Sequence, residues 1–320
     1  ADNWGYTATY DSHGFLYTGG IVFGINYPTT LGAMDTTFNG VVDVSITKFD
    51  TTGTSIIYST YLGGSAAEVP ASLIVNSLDE LLVLGTTASL NFPTNSSSYD
   101  VSFNGGTGAS IISSINFVNG SDLFITHFNH AGTQLIGSTY FGGNQNDGIN
   151  SATILVKNYG DDIRGEIMVD KNNNIYVVST TQSTNLPTSS SVIQPTKGLS
   201  NDGMIAKFDN SLSNLIWATY FGGNGNDALY GIKINTKQDI YITGGTSSTN
   251  LPTTSGSFQP IFQGGNTDGF VFKIDKSGQS IPFGTYIGSA AYDQTYLLDL
   301  DRYNNVYLFG QTEDTSNVFI

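Results

Sequence analysis

Thr219-Tyr220-Phe221-Gly222-Gly223-Asn224-Gly225-Asn226-Asp227 is one copy of a segment that recurs down the chain. Thr60 to Gly64 and Thr139 to Gly143 repeat its first five residues, and Thr285 to Ser289 is a degenerate copy. Seven residues after each tyrosine stands an acid: Glu68, Asp147, Asp227 and Asp293. Eighteen residues before each stands an aspartate: Asp43, Asp122, Asp202 and Asp268. A further marker falls at Tyr17, Leu82, Tyr176, Tyr241 and Tyr307, and the first four of these are followed eleven residues later by Pro28, Pro93, Pro187 and Pro252. A fixed period means that one supersecondary unit is stacked several times.

Tyr220 and Tyr286 lie 66 residues apart, which gives the length of the basic unit. Two units are longer, and the excess places insertions within Asn95–Gly120 and Asn144–Gly165. The cleanest unit predicts four strands: Leu229–Ile234, Asp239–Thr243, Gly269–Ile274 and Ile281–Ile287. Short runs of Val, Ile, Tyr and Phe bounded by Asn, Asp and Gly are hairpin signals. Apolar residues do not recur at helical spacing over a useful length. Four antiparallel strands per unit, several times over, predict an all-β β-propeller with blades of about 65 residues. A parallel β-helix has shorter repeats without a hairpin in each, and a β-sandwich array needs a unit of about 100 residues. The paired glycines suit crowded backbone or positive φ, with the neighbouring tyrosine packing between blades.

These motifs resemble the SBBP-type bacterial β-propeller repeat. The closest copy runs from Thr219 to Ser289 and includes Asp268-Gly269-Phe270-Val271-Phe272-Lys273-Ile274-Asp275. Asp170–Tyr176 and Asp301–Tyr307 match that family's first hairpin. The likeness covers about Tyr6 to Gly310 and departs at Thr180, where the family's glycine is missing, and at the two insertions. The opening Asp2–Tyr10 is similar to segments of very large surface proteins of Bacteroidetes, exported by type IX secretion and often bearing gliding-motility-associated domains. The resemblance implies an extracellular adhesin or surface-fibre component.

First hairpins occur five times, but third and fourth strands only four times. The sequence therefore predicts, over residues 1–320, four blades plus the first hairpin of a fifth, an incomplete part of a larger ring. The alternative is a ring of five closed by strand exchange between the ends.

Net charge is −15, from 26 acids against 11 Lys and Arg. That balance opposes nucleic-acid binding, which needs a basic face, and a polybasic membrane dock. No apolar run is long enough to span a bilayer as a helix. There are no cysteines, so stability must come from the core and not from disulfides.

Glu68, Asp147, Asp227 and Asp293 are the candidate metal ligands, with calcium as the cofactor they suit, because carboxylates beside carbonyl and hydroxyl oxygens fit that ion. The competing role is structural: an Asp that accepts backbone N–H groups in a turn also recurs in every unit. His127 and His130 have a metal-like spacing, but His127 stands where other units carry Lys48, Lys207 and Lys273. Asp161, Asp162, Arg164 and Glu166 offer an acid–base group for glycoside chemistry, against the simpler expectation of a solvated loop with local ion pairs. No nucleophile elbow, phosphate loop or zinc helix is present. Trp4, Tyr99 and Phe117 stand outside the repeat register and could stack on sugars or a partner. Thr36 and Thr51 each follow an aspartate in a pattern resembling the Bacteroidetes O-glycosylation acceptor.

The expected function is a non-catalytic extracellular binding or spacer module that meets proteins or glycans at the cell surface through its inserted loops. One rival is a carbohydrate-active enzyme with its site in the propeller funnel. Another is a docking subunit of a secretion or motility apparatus.

Overall fold

The computed structural model describes residues 2–111 and 114–315, and among them there is no helix. Sheet I runs β1 (Asn3–Tyr10), β2 (Leu16–Val22), β3 (Asp43–Phe49) and β4 (Ile56–Leu62). Sheet II is built from β5 (Glu68–Val75), β6 (Leu81–Thr87), β9 (Asp122–Phe128) and β10 (Leu135–Phe141), with a small hairpin of β7 (Ala109–Ser110) and β8 (Asn116–Phe117) inserted between. Sheet III holds β11 (Glu166–Val169), β12 (Ile175–Thr181), β13 (Asp202–Phe208) and β14 (Leu215–Phe221). Sheet IV holds β15 (Asp227–Ile234), β16 (Ile240–Thr246), β17 (Asp268–Ile274) and β18 (Phe283–Ile287). The hairpin of β19 (Asp293–Leu300) and β20 (Val306–Thr312) follows as sheet V. Among the described residues every pairing between these strands is antiparallel, and each four-stranded sheet is a meander in chain order. The four strands expected of Thr219–Ser289 are thus observed, with ends displaced by a few residues.

The turns explain themselves locally. In the first hairpin of each unit an Asp or Asn accepts the amides that close the turn, as Asp170 Oδ1 does from Asn172 at 2.8 Å and Asn174 at 3.0 Å. The fourth turn residue has positive φ in all five copies: Gly14, Asp79, Asn173, Gln238 and Asn304. Polar side chains tolerate that region better than branched ones.

The sheets stack face against face, because successive side chains of a strand point to opposite faces. Leu81 and Val83 of β6 pack with Val44, Ile46 and Leu62 of sheet I. Their neighbours Leu82 and Leu84 pack with Ile175, Val177 and Met204 of sheet III. Phe221 of sheet III meets Phe270 and Phe272 of sheet IV in the same way. Tyr140, Tyr220 and Tyr286 occupy matching places and face the preceding sheet. Each also ties its hydroxyl to its own sheet: Tyr220 donates to Ser183 O at 2.9 Å and accepts from Leu186 N at 2.9 Å. The Tyr61 ring instead meets Tyr27 and Phe38 of its own sheet's long connection.

Both insertions turn apolar residues inward. Phe117, Ile111 and Ile115 join Ile149 and Ile163 in a cluster against Ile21 and Val69. Phe117 is completely buried, which removes it from the aromatics expected to contact a partner. Tyr99 is half-buried against Phe208. Trp4 alone of the three is exposed.

Replacing Tyr220 by Phe leaves Ser183 O and Leu186 N without their partner. Loss of a buried hydrogen bond should lower unfolding free energy by about 1–3 kcal/mol. Tyr307→Phe, at an exposed ring, should change it by less than about 0.5 kcal/mol. Chemical denaturation of the two variants compares them.

Candidate functional site

The recurring acids lie at the joints between sheets. Glu68 opens β5 and is wholly buried. Its Oε2 accepts from Gly64 N at 3.0 Å, in the loop that leaves sheet I. Its Oε1 accepts from Thr87 Oγ1 at 2.6 Å, at the end of β6. Asp147 repeats this with Gly143 N at 2.7 Å, Ser183 Oγ at 2.8 Å and the Thr181 hydroxyl. Asp227 does so with Gly223 N at 2.8 Å, Ser248 Oγ at 2.7 Å and the Thr246 hydroxyl. Amide and hydroxyl donors thus hold both oxygens of these three acids, and each acid clasps one sheet to the next. Asp293 keeps only half of the pattern: Ser289 N at 2.7 Å and Ser289 Oγ at 2.8 Å both donate to Oδ2.

The clasp has a second half that sequence reasoning missed. Thr87-x-Ser89-x-Asn91, Thr181-x-Ser183-x-Asn185 and Thr246-x-Ser248-x-Asn250 grip the preceding sheet's glycine loop. Asn91, Asn185 and Asn250 accept from Ser65 N, Asn144 N and Asn224 N at 2.8–2.9 Å. The signal was available, since each triplet stands at a fixed distance before the Pro-Thr pair.

The second set of acids faces the first. Asp43, Asp122, Asp202 and Asp268 are fully buried at the starts of β3, β9, β13 and β17. A Cβ at Gly142 would lie 2.4 Å from Asp122 Oδ1 and 2.7 Å from Asp147 Oδ2. Only glycine lets two carboxylates close on the same backbone. Burial pushes Asp43 up to about 6, Glu68 to about 7, Asp122 to about 7, and Asp147 and Asp227 to about 6. Asp202 is raised by burial as well. The facing acid adds to the shift at Glu68, Asp122 and Asp227.

The histidines serve the same scaffold. Lys48 Nζ reaches Asp11 Oδ2 at 3.1 Å, Lys207 reaches Asp170 at 3.5 Å and Lys273 reaches Asp239 at 2.7 Å. His127 takes the lysine's place, with Nε2 3.0 Å from Glu80 Oε2 and Nδ1 2.8 Å from Asn210 O. Asp11, His13 and Asp79 also come together. There Lys48 already neutralises Asp11, and Ser12 donates to both oxygens of Asp79 at 3.0 Å.

A concave site of about 460 Å³ lies where the first strands of all five sheets converge. Its walls come from β1, β5, β11, β15 and β19. In four of these strands the pairing register slips by one residue at the same place, between Gly5 and Thr7, Pro70 and Ser72, Leu229 and Gly231, and Thr295 and Leu297. The residues passed over are Tyr6, Ala71, Tyr230 and Tyr296, and all four line the site. A bulge re-aims a side chain that simple alternation would send elsewhere. Nothing in the repeat spacing announces this.

The second insertion crosses the site. Tyr159 and Tyr6 share a hydroxyl–hydroxyl bond of 2.8 Å, and Asn158 Nδ2 donates to Gln311 Oε1 at 2.7 Å and Tyr296 OH at 2.9 Å. The insertion therefore links sheet I to sheet V. Asp161 and Asp162 are buried, which corrects the expected solvation, while the expected local ion pair forms between Arg164 and Asp161. Asp161 accepts from Arg164 Nε at 2.7 Å and Asn158 N at 2.7 Å, while the guanidinium lies 4.5 Å over the Tyr296 ring. Glu166 accepts from Lys233 Nζ at 2.5 Å and Ile232 N at 2.6 Å. Burial raises its pKa despite that lysine. The site thus offers aromatic faces, hydroxyls and one guanidinium; its acid, Glu166, is ion-paired to Lys233, and its Arg164 to Asp161 behind it. Thr36 and Thr51 lie far from this chemistry in sequence, both exposed.

No protein-family model matches the chain. No curated protein matches it. Among solved structures, it is similar to a protein of unknown function from Dyadobacter fermentans, at 11% identity and TM-score 0.48, over 94% of this chain and 73% of that one. It is also similar to the polysaccharide lyase Uly1, at 8% identity and TM-score 0.41, over 96% of this chain and 54% of that one. A third is the NanB sialidase of Streptococcus pneumoniae, at 10% identity and TM-score 0.33, over 97% of this chain and 65% of that one.

Asp43, Glu68, Asp122, Asp147 and Asp227 have folded pKa values above their unfolded ones, so the fold favours their protonated forms. Their stabilisation is complete below about pH 4 and is lost as pH rises through 6 to 7. The turn acids Asp170, Asp209 and Asp275 are held low by turn donors, and their contribution is lost below about pH 4. Melting temperature should therefore peak near pH 5 and fall toward pH 8, as thermal unfolding across that range would record.

Proposed function

We propose that the chain is a segment of a β-propeller of the SBBP-repeat type, with sheets I to V as successive blades. What supports this is the convergence of five first strands on one concave site while the sheets stack face to face. On this reading the chain is a non-catalytic binding module of a larger extracellular or cell-surface protein, and the axial site holds the ligand. The observation that carries it is the state of the site's charged groups: Asp161 is paired to Arg164 and Glu166 to Lys233. A general acid or base must be free to exchange its proton with substrate. Tyrosine faces and hydroxyls suit a glycan ring, which offers apolar C–H faces and polar edges. Exposed Thr36 and Thr51 would serve as O-glycosylation acceptors of an exported chain, and intact-mass measurement of native material tests that.

A carbohydrate-active enzyme is the second reading, and one observation favours it. Glu166 lies in the site with its pKa raised by burial, a property shared with catalytic acids. The two readings separate by experiment. Glycan-array binding followed by calorimetry should give a saturable ligand. Tyr159→Ala, at a half-exposed ring, should weaken it by about tenfold or more, about 1.4 kcal/mol, with melting temperature little changed. Turnover of that glycan, abolished by Glu166→Gln with binding retained, would replace the binding-module reading by the enzyme.

A further inference from the structure

Among the described residues that line the concave site, Arg164 is the one basic side chain. Three contacts fix it in place. Its Nε donates to Asp161 Oδ1 at 2.7 Å. Its guanidinium lies 4.5 Å over the Tyr296 ring, and its backbone carbonyl accepts from Ser179 Oγ at 3.2 Å. Asp161 is itself anchored, because Oδ2 accepts from Lys157 N at 3.1 Å and Asn158 N at 2.7 Å. The second insertion therefore folds its own backbone around one acid, and that acid aims one guanidinium.

The fold uses only the Nε edge of that guanidinium. Among the described residues no group accepts from Nη1 or Nη2. The Arg164 side chain is 31% exposed, whereas that of Asp161 is fully buried. The site thus meets the cation, and the acid stays behind it. Glu166, the acid of the lining, is covered by Lys233 Nζ at 2.5 Å and Ile232 N at 2.6 Å. Asp299 is an exposed acid close to Glu166 and lies outside the lining.

Two coplanar N–H donors match two oxygens of one anion. A neutral sugar offers hydroxyls, which do not fill such a fork as a pair of anionic oxygens does. Tyr159 lines the same site with a ring that is 54% exposed. It stands 6.4 Å from Trp4, which is also exposed. The geometry points to an acidic glycan as the ligand of this site. Its carboxylate or sulfate ester is held by Nη1 and Nη2 of Arg164, and its sugar ring packs on Tyr159. This inference rests on the binding-site reading above and adds to it the charge of the ligand. A guanidinium already oriented by the fold loses little freedom on binding, which favours affinity.

The test applies the whole 320-residue chain to an array of neutral, uronate-bearing, sialylated and sulfated oligosaccharides. Binding confined to acidic members is expected, and the uronate, sialylated and sulfated arms separate carboxylate from sulfate ester. Calorimetry then compares the best acidic ligand with its methyl ester or desulfated form. The neutral form should bind about tenfold more weakly or worse, the loss of a charge-assisted hydrogen bond. Arg164→Lys keeps a cation beside Asp161 and removes the planar fork, so it should fold and show a similar loss for the acidic ligand alone. Arg302→Lys, at an exposed arginine between β19 and β20, should bind as the parent does. Equal affinity for the acidic sugar and its neutral form would overturn the inference without any variant. So would unchanged affinity in a folded Arg164→Lys. Tight binding of a neutral glycan that ignores Arg164→Lys would sink the charge assignment and leave the binding-module reading standing. Silence across the whole array would remove both. Turnover of an acidic glycan would uphold the assignment and replace the binding module by an enzyme.

Discussion

A carboxylate buried in a protein without a cation must be hydrogen-bonded on both oxygens or carry a proton. This constraint governs each joint of the stack. Glu68, Asp147 and Asp227 sit at the start of a sheet and accept from the glycine loop of the sheet before and from hydroxyls at the end of their own second strand. One acid thereby fixes the distance and angle between two sheets. Apolar packing between faces supplies the larger driving force, but it is not directional. The carboxylate clasp is, and it brings each sheet into register with the next.

The glycines follow from the same geometry. At Gly63 and Gly142 two acids approach one backbone from opposite sides, and a Cβ would lie within 2.7 Å of an oxygen of each. Paired acids and paired glycines are therefore one device. A second acid so close raises the proton affinity of the first, which couples the cohesion of the stack to pH.

Much of this was legible in the sequence. Tyr61, Tyr140, Tyr220 and Tyr286 gave the period, and the acids seven residues on gave the joints. The hairpin turns were legible because their chemistry is local: an Asx acceptor and a residue that tolerates positive φ. The fate of the acids was not legible, because a ligand for calcium and an acceptor for turn amides look alike until their donors are placed. The insertions misled for a related reason. Their polarity suggested exposed loops, yet Phe117, Asp161 and Ile163 are buried, since an insertion on the first or second strand's side of a stacked sheet has a concave interior to fill. Nor could spacing reveal that Tyr6, Tyr230 and Tyr296 converge, because each is aimed by a bulge that alternation does not foresee.

The sequence by itself determined the repeating unit, its four strands and its turns, because those depend on neighbours a few residues away and recur in each copy. The tertiary structure alone decided which acids are held by donors and which are not. It also decided how Tyr159 and Arg164 meet side chains of distant strands. Both are matters of distance between residues tens to hundreds apart in the chain, and a one-dimensional pattern carries no such distance.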